Sequence, residues 1–95
     1  MRVKSVIVPE FLEGSGRSFA GRRLIQLAAS VASRAESELA AAIRAYYSGE
    51  YLPVTEFSED SEQLSGVVEG NRVCVSCDGS VYSGESYIGR ITVNS

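Results

Sequence analysis

The residues able to do chemistry fall into a few groups. Gly16-Arg17-Ser18-Phe19-Ala20-Gly21 has the glycine spacing of a phosphate-binding loop and runs into Arg22 and Arg23. Such a loop needs Lys and then Ser or Thr after its last glycine, to reach the terminal phosphates and magnesium. Two arginines stand there instead, which argues against a nucleotide hydrolase of that class. What remains is a gathering of Gly14, Gly16, Arg17, Ser18, Arg22 and Arg23 where a helix is predicted to begin. Free N–H groups and the helix dipole favour an anion at such a place. Three readings are open: pairing with the chain's own Glu10 and Glu13, contact with an acidic protein surface, or contact with nucleic acid. Nucleic acid is the least favoured, because Arg34 and Arg44 are interleaved with Glu36 and Glu38 and the net charge is −3.

Cys74-Val75-Ser76-Cys77 is a CxxC. A zinc site needs four ligands, and the chain offers no other Cys and no His. On a strand, residues three apart face opposite ways, so the thiols diverge; a redox CxxC opens a helix instead. The expectation is Cys77 in the core, Cys74 outside, both reduced. Glu59, Asp60 and Glu62 make an acidic stretch that fails the calcium-loop pattern, lacking its glycine and terminal Glu. It reads as a solvated loop or a recognition surface. The absence of His removes the commonest general base and metal ligand. Neither a cofactor nor a metal is expected. Of the five tyrosines, Tyr47 and Tyr51 beside Glu50 form the best candidate contact patch, Tyr being broad, rather rigid and able to hydrogen-bond.

The elements that must position these groups follow from hydrophobic periodicity. Ser18–Gly49 reads as one long amphipathic helix, with Ser18 as N-cap, Gly49 at the C′ position and Pro53 beyond. Its stripe is Ala20, Leu24, Leu27, Ala28, Val31, Ala35, Leu39, Ala42 and Tyr46. Arg34 and Glu38 flank it as an i,i+4 pair. About 30 residues would extend roughly 45 Å, against a diameter near ~30 Å for a chain of this size. The helix must therefore project, bend, break near Ser30–Ser33, or meet a second copy.

Arg2–Val8 reads as a strand, and Phe11 and Leu12 as a plug beneath the helix. Tyr51–Phe57 is a strand that Pro53 confines to an edge or a late start, and Ser58–Gln63 is a loop. Gly70-Asn71 is predicted to turn a hairpin pairing Val68 with Val73 and Glu69 with Arg72. Asp78-Gly79 turns the next, pairing Cys77 with Ser80 and Val75 with Tyr82. The inward face is then Val68, Val73, Val75, Cys77 and Tyr82. Tyr87–Val93 closes the sheet. The fold expected is α+β in two layers: one long helix across an antiparallel sheet of four to six strands, order β-α-β-β-β-β.

Ninety-five residues, 44% hydrophobic and 22% charged, make one domain. No apolar run is long enough to span a membrane, and an intracellular, cytoplasmic protein is expected. Met1–Tyr47 carries a net +3 and Ser48–Ser95 a net −6. Eight of the nine cations are Arg, suited to planar contacts. In order of elements the chain is similar to cystatin-like proteins, though Gln63-Leu64-Ser65-Gly66-Val67 does not match their inhibitory motif. By size and type it resembles small phage-encoded inhibitors of bacterial defence, such as anti-CRISPR proteins. That resemblance implies a non-enzymatic module that binds a protein partner by surface occlusion. The contact residues expected are Arg17, Arg22, Arg23, Tyr47, Tyr51, Glu59, Asp60 and Glu62, with a homodimer as a further possibility. The alternative is a nucleic-acid or phosphate-binding module using the Arg cluster.

Overall fold

A computed structural model describes the backbone of residues 1–8 and 14–94 and the side chains of residues 1–8 and 21–94. The expected plug of Phe11 and Leu12 lies outside these residues. The order of elements is β1 (Arg2–Ile7), α1 (Gly14–Ala32), α2 (Glu38–Tyr46), β2 (Thr55–Glu59), β3 (Gln63–Val68), β4 (Asn71–Ser76), β5 (Ser80–Ser83) and β6 (Ser86–Asn94). The strands form one antiparallel sheet ordered β1-β6-β5-β4-β3-β2. The α+β class and the antiparallel sheet are as expected; the single long helix is not.

The predicted helix is two helices, because the backbone is diverted between Ser33 and Ser37. The Ser33 N–H still bonds to the Ala29 carbonyl, but those of Arg34 and Ala35 reach back only three residues, to Val31 and Ala32. The ladder tightens and ends. Ser37 then caps α2: it is extended, and its hydroxyl accepts from the Ala40 N–H at 3.2 Å. Arg44, one turn from the end of α2, donates at 2.6 Å to the carbonyls of both Ala32 and Ala35. It thereby satisfies groups that the end of α1 leaves open. Ser18 is inside α1 rather than capping it. α2 ends at Tyr46 with Tyr47 extended, so Gly49 closes nothing. Arg34 does not pair with Glu38; its guanidinium donates to the Val54 carbonyl at 3.3 Å.

Breaking the helix removes the overhang that pointed to a second copy. The radius of gyration is 12.1 Å and the longest axis 34 Å. Both helices lie on one sheet face. Leu24, Ala28, Val31 and Ala32 of α1 and Leu39 and Ile43 of α2 are buried with Leu64, Val68, Val73, Val75, Val81 and Ile91 of the sheet. The alanines of α1 let the helix sit close. Gly89, at φ 147°, is required here: a side chain would strike Leu24 and the Ile7 carbonyl.

The hairpins are where the sequence predicted them, but each turns differently. The first turn is Glu69-Gly70, with φ of 52° and 83°, and Val68 pairs Asn71. A two-residue turn with both φ positive matches the twist of the flanking strands. Moving the turn by one residue slides the pairing by two, so Val68 and Val73 stay on the inner face. The second is a three-residue loop, Cys77-Asp78-Gly79, closed by the Gly79 N–H on the Ser76 carbonyl, with Gly79 at φ 94°. An odd loop shifts register by one and exchanges the faces. Val81 pairs Val75 and is buried, whereas Tyr82 pairs Cys74 on the outer face and is exposed. Cys77 is exposed in the turn rather than in the core; Cys74 is half-buried, and both are free thiols. β2 is an edge strand, beginning after Pro53, and takes up Ser58 and Glu59 from the predicted loop.

Candidate functional site

Two places bring polar chemistry to an opening, and they differ in sign. The first lies where the chain leaves α2 and doubles back along α1. Ser30, buried in α1, donates to the Gln26 carbonyl at 2.7 Å and accepts the Leu52 N–H at 2.8 Å. Gln26 donates to the Glu50 carbonyl at 3.3 Å. These bonds fasten the 47–52 segment to α1 and leave a cleft of about 690 Å³ lined by Arg22, Arg23, Gln26, Tyr46, Tyr47 and Gly49. Past Tyr46, Ile25 and Arg22 a second groove of about 500 Å³ continues against Val6, Ile7 and Val8 of the β1 end.

The side chains of the first cleft are ordered by their neighbours. The Tyr47 hydroxyl donates to the Glu50 carbonyl at 2.7 Å. Its ring lies 5.7 Å from that of Tyr51, so the tilted pair holds a fixed orientation. Gly49 makes this possible, since a Cβ there would meet the Tyr47 ring. Arg23 pairs with Glu69 and also donates to Gln26. Arg22 is exposed, lines both openings, and has no acidic partner among the described residues. Tyr46 is 49% exposed at the junction of the two.

The second place is the start of α2 with the β2–β3 turn. The Glu59 carboxylate accepts from the backbone N–H groups of Glu36 and Ser37, at 3.3 and 3.2 Å. An anion of the chain itself therefore takes the position that the helix dipole favours. Asp60 folds inward, its Oδ1 accepting from the N–H groups of Glu62 and Gln63 at 2.8 and 2.9 Å. The opening beside them, lined by Ser37, Asp60, Glu62, Gln63 and Cys77 among others, is only about 70 Å³.

The eight contact residues expected from sequence are thus divided. Arg22, Arg23 and Tyr47 line one cleft; Tyr51 supports it from behind. Glu59, Asp60 and Glu62 belong to the other end of the helical layer. The Arg17 side chain lies outside the described residues. Arg22 and Arg23 are well inside α1, which begins at Gly14, so they do not form a helix N-terminal cluster. The charge halves meet at one ion pair among the described residues, Arg23 with Glu69, whereas Arg72 approaches Glu56 at 3.9 Å within the acidic half. Sequence reasoning missed Gln26, Ser30 and Tyr46 as cleft-forming residues. Ser30 falls off the predicted apolar stripe, on the side of Gln26 and Ser33, so its burial left no signal in the sequence.

Among the described residues, no group of acidic and Cys side chains comes together as a metal site. No helix of those residues is long and apolar enough to cross a membrane.

The fold defined by these elements is found in solved structures. It is shared with domains of metal-transporting P-type ATPases. The N-domain of HMA8, a copper-transporting P-type ATPase, superposes with TM-score 0.77 at 16% identity, over 99% of this chain and 100% of that one. The N-domain of HMA6, also a copper-transporting P-type ATPase, gives 0.69 at 19% identity, over 95% and 94%. The catalytic domain of the CPx-ATPase CopB-B, studied for its conformational changes upon nucleotide binding, gives 0.76 at 20% identity. There the match covers 98% of this chain but only 36% of the other, so this chain spans about a third of that domain. No protein-family model matches the chain, and no curated protein matches it significantly. At these identities the likeness is one of fold. It overturns the reading as a phage-type inhibitor such as an anti-CRISPR: a size-and-composition resemblance gives way to a fold match over essentially the whole chain.

Proposed function

We propose that this chain is a nucleotide-binding domain of the N-domain type found in P-type ATPases. The observation that carries the reading is the fold match, end to end, with two isolated N-domains. Binding is the role assigned to this domain, with the groups for phosphoryl transfer supplied from elsewhere in such an assembly. On this reading the domain works on the cytoplasmic side, where ATP is abundant. The expected protein partner is then the rest of an ATPase-like assembly.

Thermal unfolding with added nucleotide tests this. A ligand at about ten times its Kd stabilises the folded state by about 1.4 kcal/mol. For a domain of this size that raises Tm by about 6–11 °C. MgATP at millimolar concentration is expected to give a saturable rise of this order; magnesium sulfate at equal ionic strength is expected to give none. Equal melting with and without nucleotide contradicts the proposal.

A further inference from the structure

We infer that the β1 edge of the domain is a docking surface for another protein, and that it takes an acidic segment carrying one or two large apolar side chains. Docking there does not depend on the nucleotide-binding reading.

Met1, Ile7 and Tyr46 are each about half exposed, and the fold brings them to one side. β1 is an edge strand, and α2 packs beside it. An opening of about 260 Å³ lies against Met1, Val3 and Ala45. Another, of about 500 Å³, lies against Val6, Ile7 and Ile25. Tyr46 lines both. The openings thus border the two ends of β1, whose six residues span about 20 Å. An extended partner segment of about the same number of residues matches that length. Exposed apolar groups gathered in this way mark interaction sites. A tyrosine at their meeting point, with arginines at the margin, has the composition of an interface anchor.

Charge selects the partner. Arg2 borders the first opening, Arg22 the second, and Lys4 stands between them in β1. All three are exposed, and none makes an ion pair among the described residues. The described acids of this half of the chain, Glu36 and Glu38, lie at the far end of α2, which is about 12 Å long from Glu38 to Tyr46. Three cations around an apolar centre are complementary to an acidic segment with apolar anchors.

A second copy fits less well. Pairing β1 with another β1 would set Arg2 and Lys4 against their own counterparts, and like charges across strands are destabilising. The register with β6 shifts between Val3 and Ser5, so Lys4 stands at a bulge. A bulge and a lysine on an edge are devices against strand-to-strand association. The partner therefore binds through side chains seated in the openings. The outer sheet face offers no such selection: Tyr82 and Tyr87 pack on each other at 5.6 Å, Arg72 has Glu56 at 3.9 Å, and Arg90 donates to the Asp78 carbonyl.

Amide chemical-shift titration of the full chain is the test. The probe is a peptide of about ten residues in which Glu alternates with Leu around a central Phe; the comparison is the same peptide with Lys for Glu. The Glu peptide is expected to give saturable shifts at Val3–Val8 and Tyr46, and to bind at least tenfold tighter than the Lys peptide. Its affinity is expected to fall severalfold at about 0.5 M salt. Tyr46→Ala, and Arg2→Glu with Lys4→Glu, replace exposed residues; both proteins are expected to melt with the wild type and to bind the Glu peptide at least tenfold more weakly. Arg72→Glu, on the outer sheet face, is expected to bind as wild type. Equal affinity for the two peptides, or no saturable shift, overturns the proposal. Shifts centred on Tyr82 and Tyr87 would move docking to the outer face. A molar mass that doubles with concentration and is restored by Tyr46→Ala would assign the surface to a second copy. Tighter peptide binding by Phe11→Ser would assign the openings to the chain's own residues 9–13.

Discussion

Arg44 is the residue on which the two-helix arrangement most depends, and its removal gives a quantitative test. One guanidinium nitrogen donates to the carbonyls of Ala32 and Ala35, both at 2.6 Å. Those residues are buried, at 0% and 4% exposure, so water cannot readily replace the donor. A hydrogen bond from a charged group contributes about 1.5–3 kcal/mol, and an orphaned buried carbonyl costs about 1–3. Arg44→Met keeps the aliphatic stem and removes both bonds, so a loss of about 2–3 kcal/mol is expected. The total stability of a chain this long is about 5–14 kcal/mol, so the loss is a large part of it. Urea unfolding followed by circular dichroism would read it as a fall in midpoint. By the scaling for small domains, Tm would drop by about 8–24 °C. Arg22→Met, an exposed arginine of the same helical layer, is the control and should leave the midpoint unchanged. An Arg44→Met midpoint equal to wild type would refute the claim that Arg44 closes the end of α1.

Further outcomes follow from individual contacts. Ser30→Ala removes the acceptor of the Leu52 N–H and is expected to cost about 1–3 kcal/mol, visible as faster amide exchange at Leu52. Gly89→Ala places a methyl against Leu24 and the Ile7 carbonyl at a φ that L-residues avoid; it is expected to unpair the β1–β6 edge, read as lost amide protection at Ile7 and Arg90, which face each other across it. Glu69→Asn suits a turn whose first residue has φ 52° and is expected to raise stability by about 0.5–1 kcal/mol, the exposed ion pair to Arg23 being worth less. The Asp78 carboxyl is held below its ordinary range, chiefly by the Ser80 N–H and then by the Ser80 hydroxyl, with Arg90 adding to the effect. Its lowered folded-state value means that it contributes stability above the ordinary carboxylate pKa and loses it as pH falls through the folded value. Asp78→Asn is therefore expected to flatten the acid limb of the stability profile below about pH 4, measured as Tm against pH.

What could be read from the sequence was set by local patterns. Strand β1, the late edge strand β2 and the two hairpins followed from β-branched runs and turn residues. A break near Ser30–Ser33 was one of the outcomes the helix length allowed, and it falls at Ser33–Ser37; the sequence did not single it out because the alanines on either side keep helical periodicity, and Arg44, which closes the gap, acts from a distant position. Tyr82 was placed inward because the Asp78-Gly79 pair suggests a two-residue turn. The actual loop has three, which no apolar pattern reveals when Val81 and Tyr82 are both plausible core residues. For the site, Arg22, Arg23 and Tyr47 were singled out, yet their grouping required the 47–52 segment to return along α1. That return is fixed by Ser30 and Gln26, polar residues whose partners are backbone groups and leave no mark in the sequence.

The central claim is the proposed one: that this chain, which shares its fold with ATPase N-domains, binds nucleotide. Amide chemical-shift mapping of the full chain during titration with ATP tests it most directly. The account predicts saturable shifts that cluster on one surface of the domain. No shifts up to millimolar ATP, or shifts that rise linearly without saturating, would contradict it.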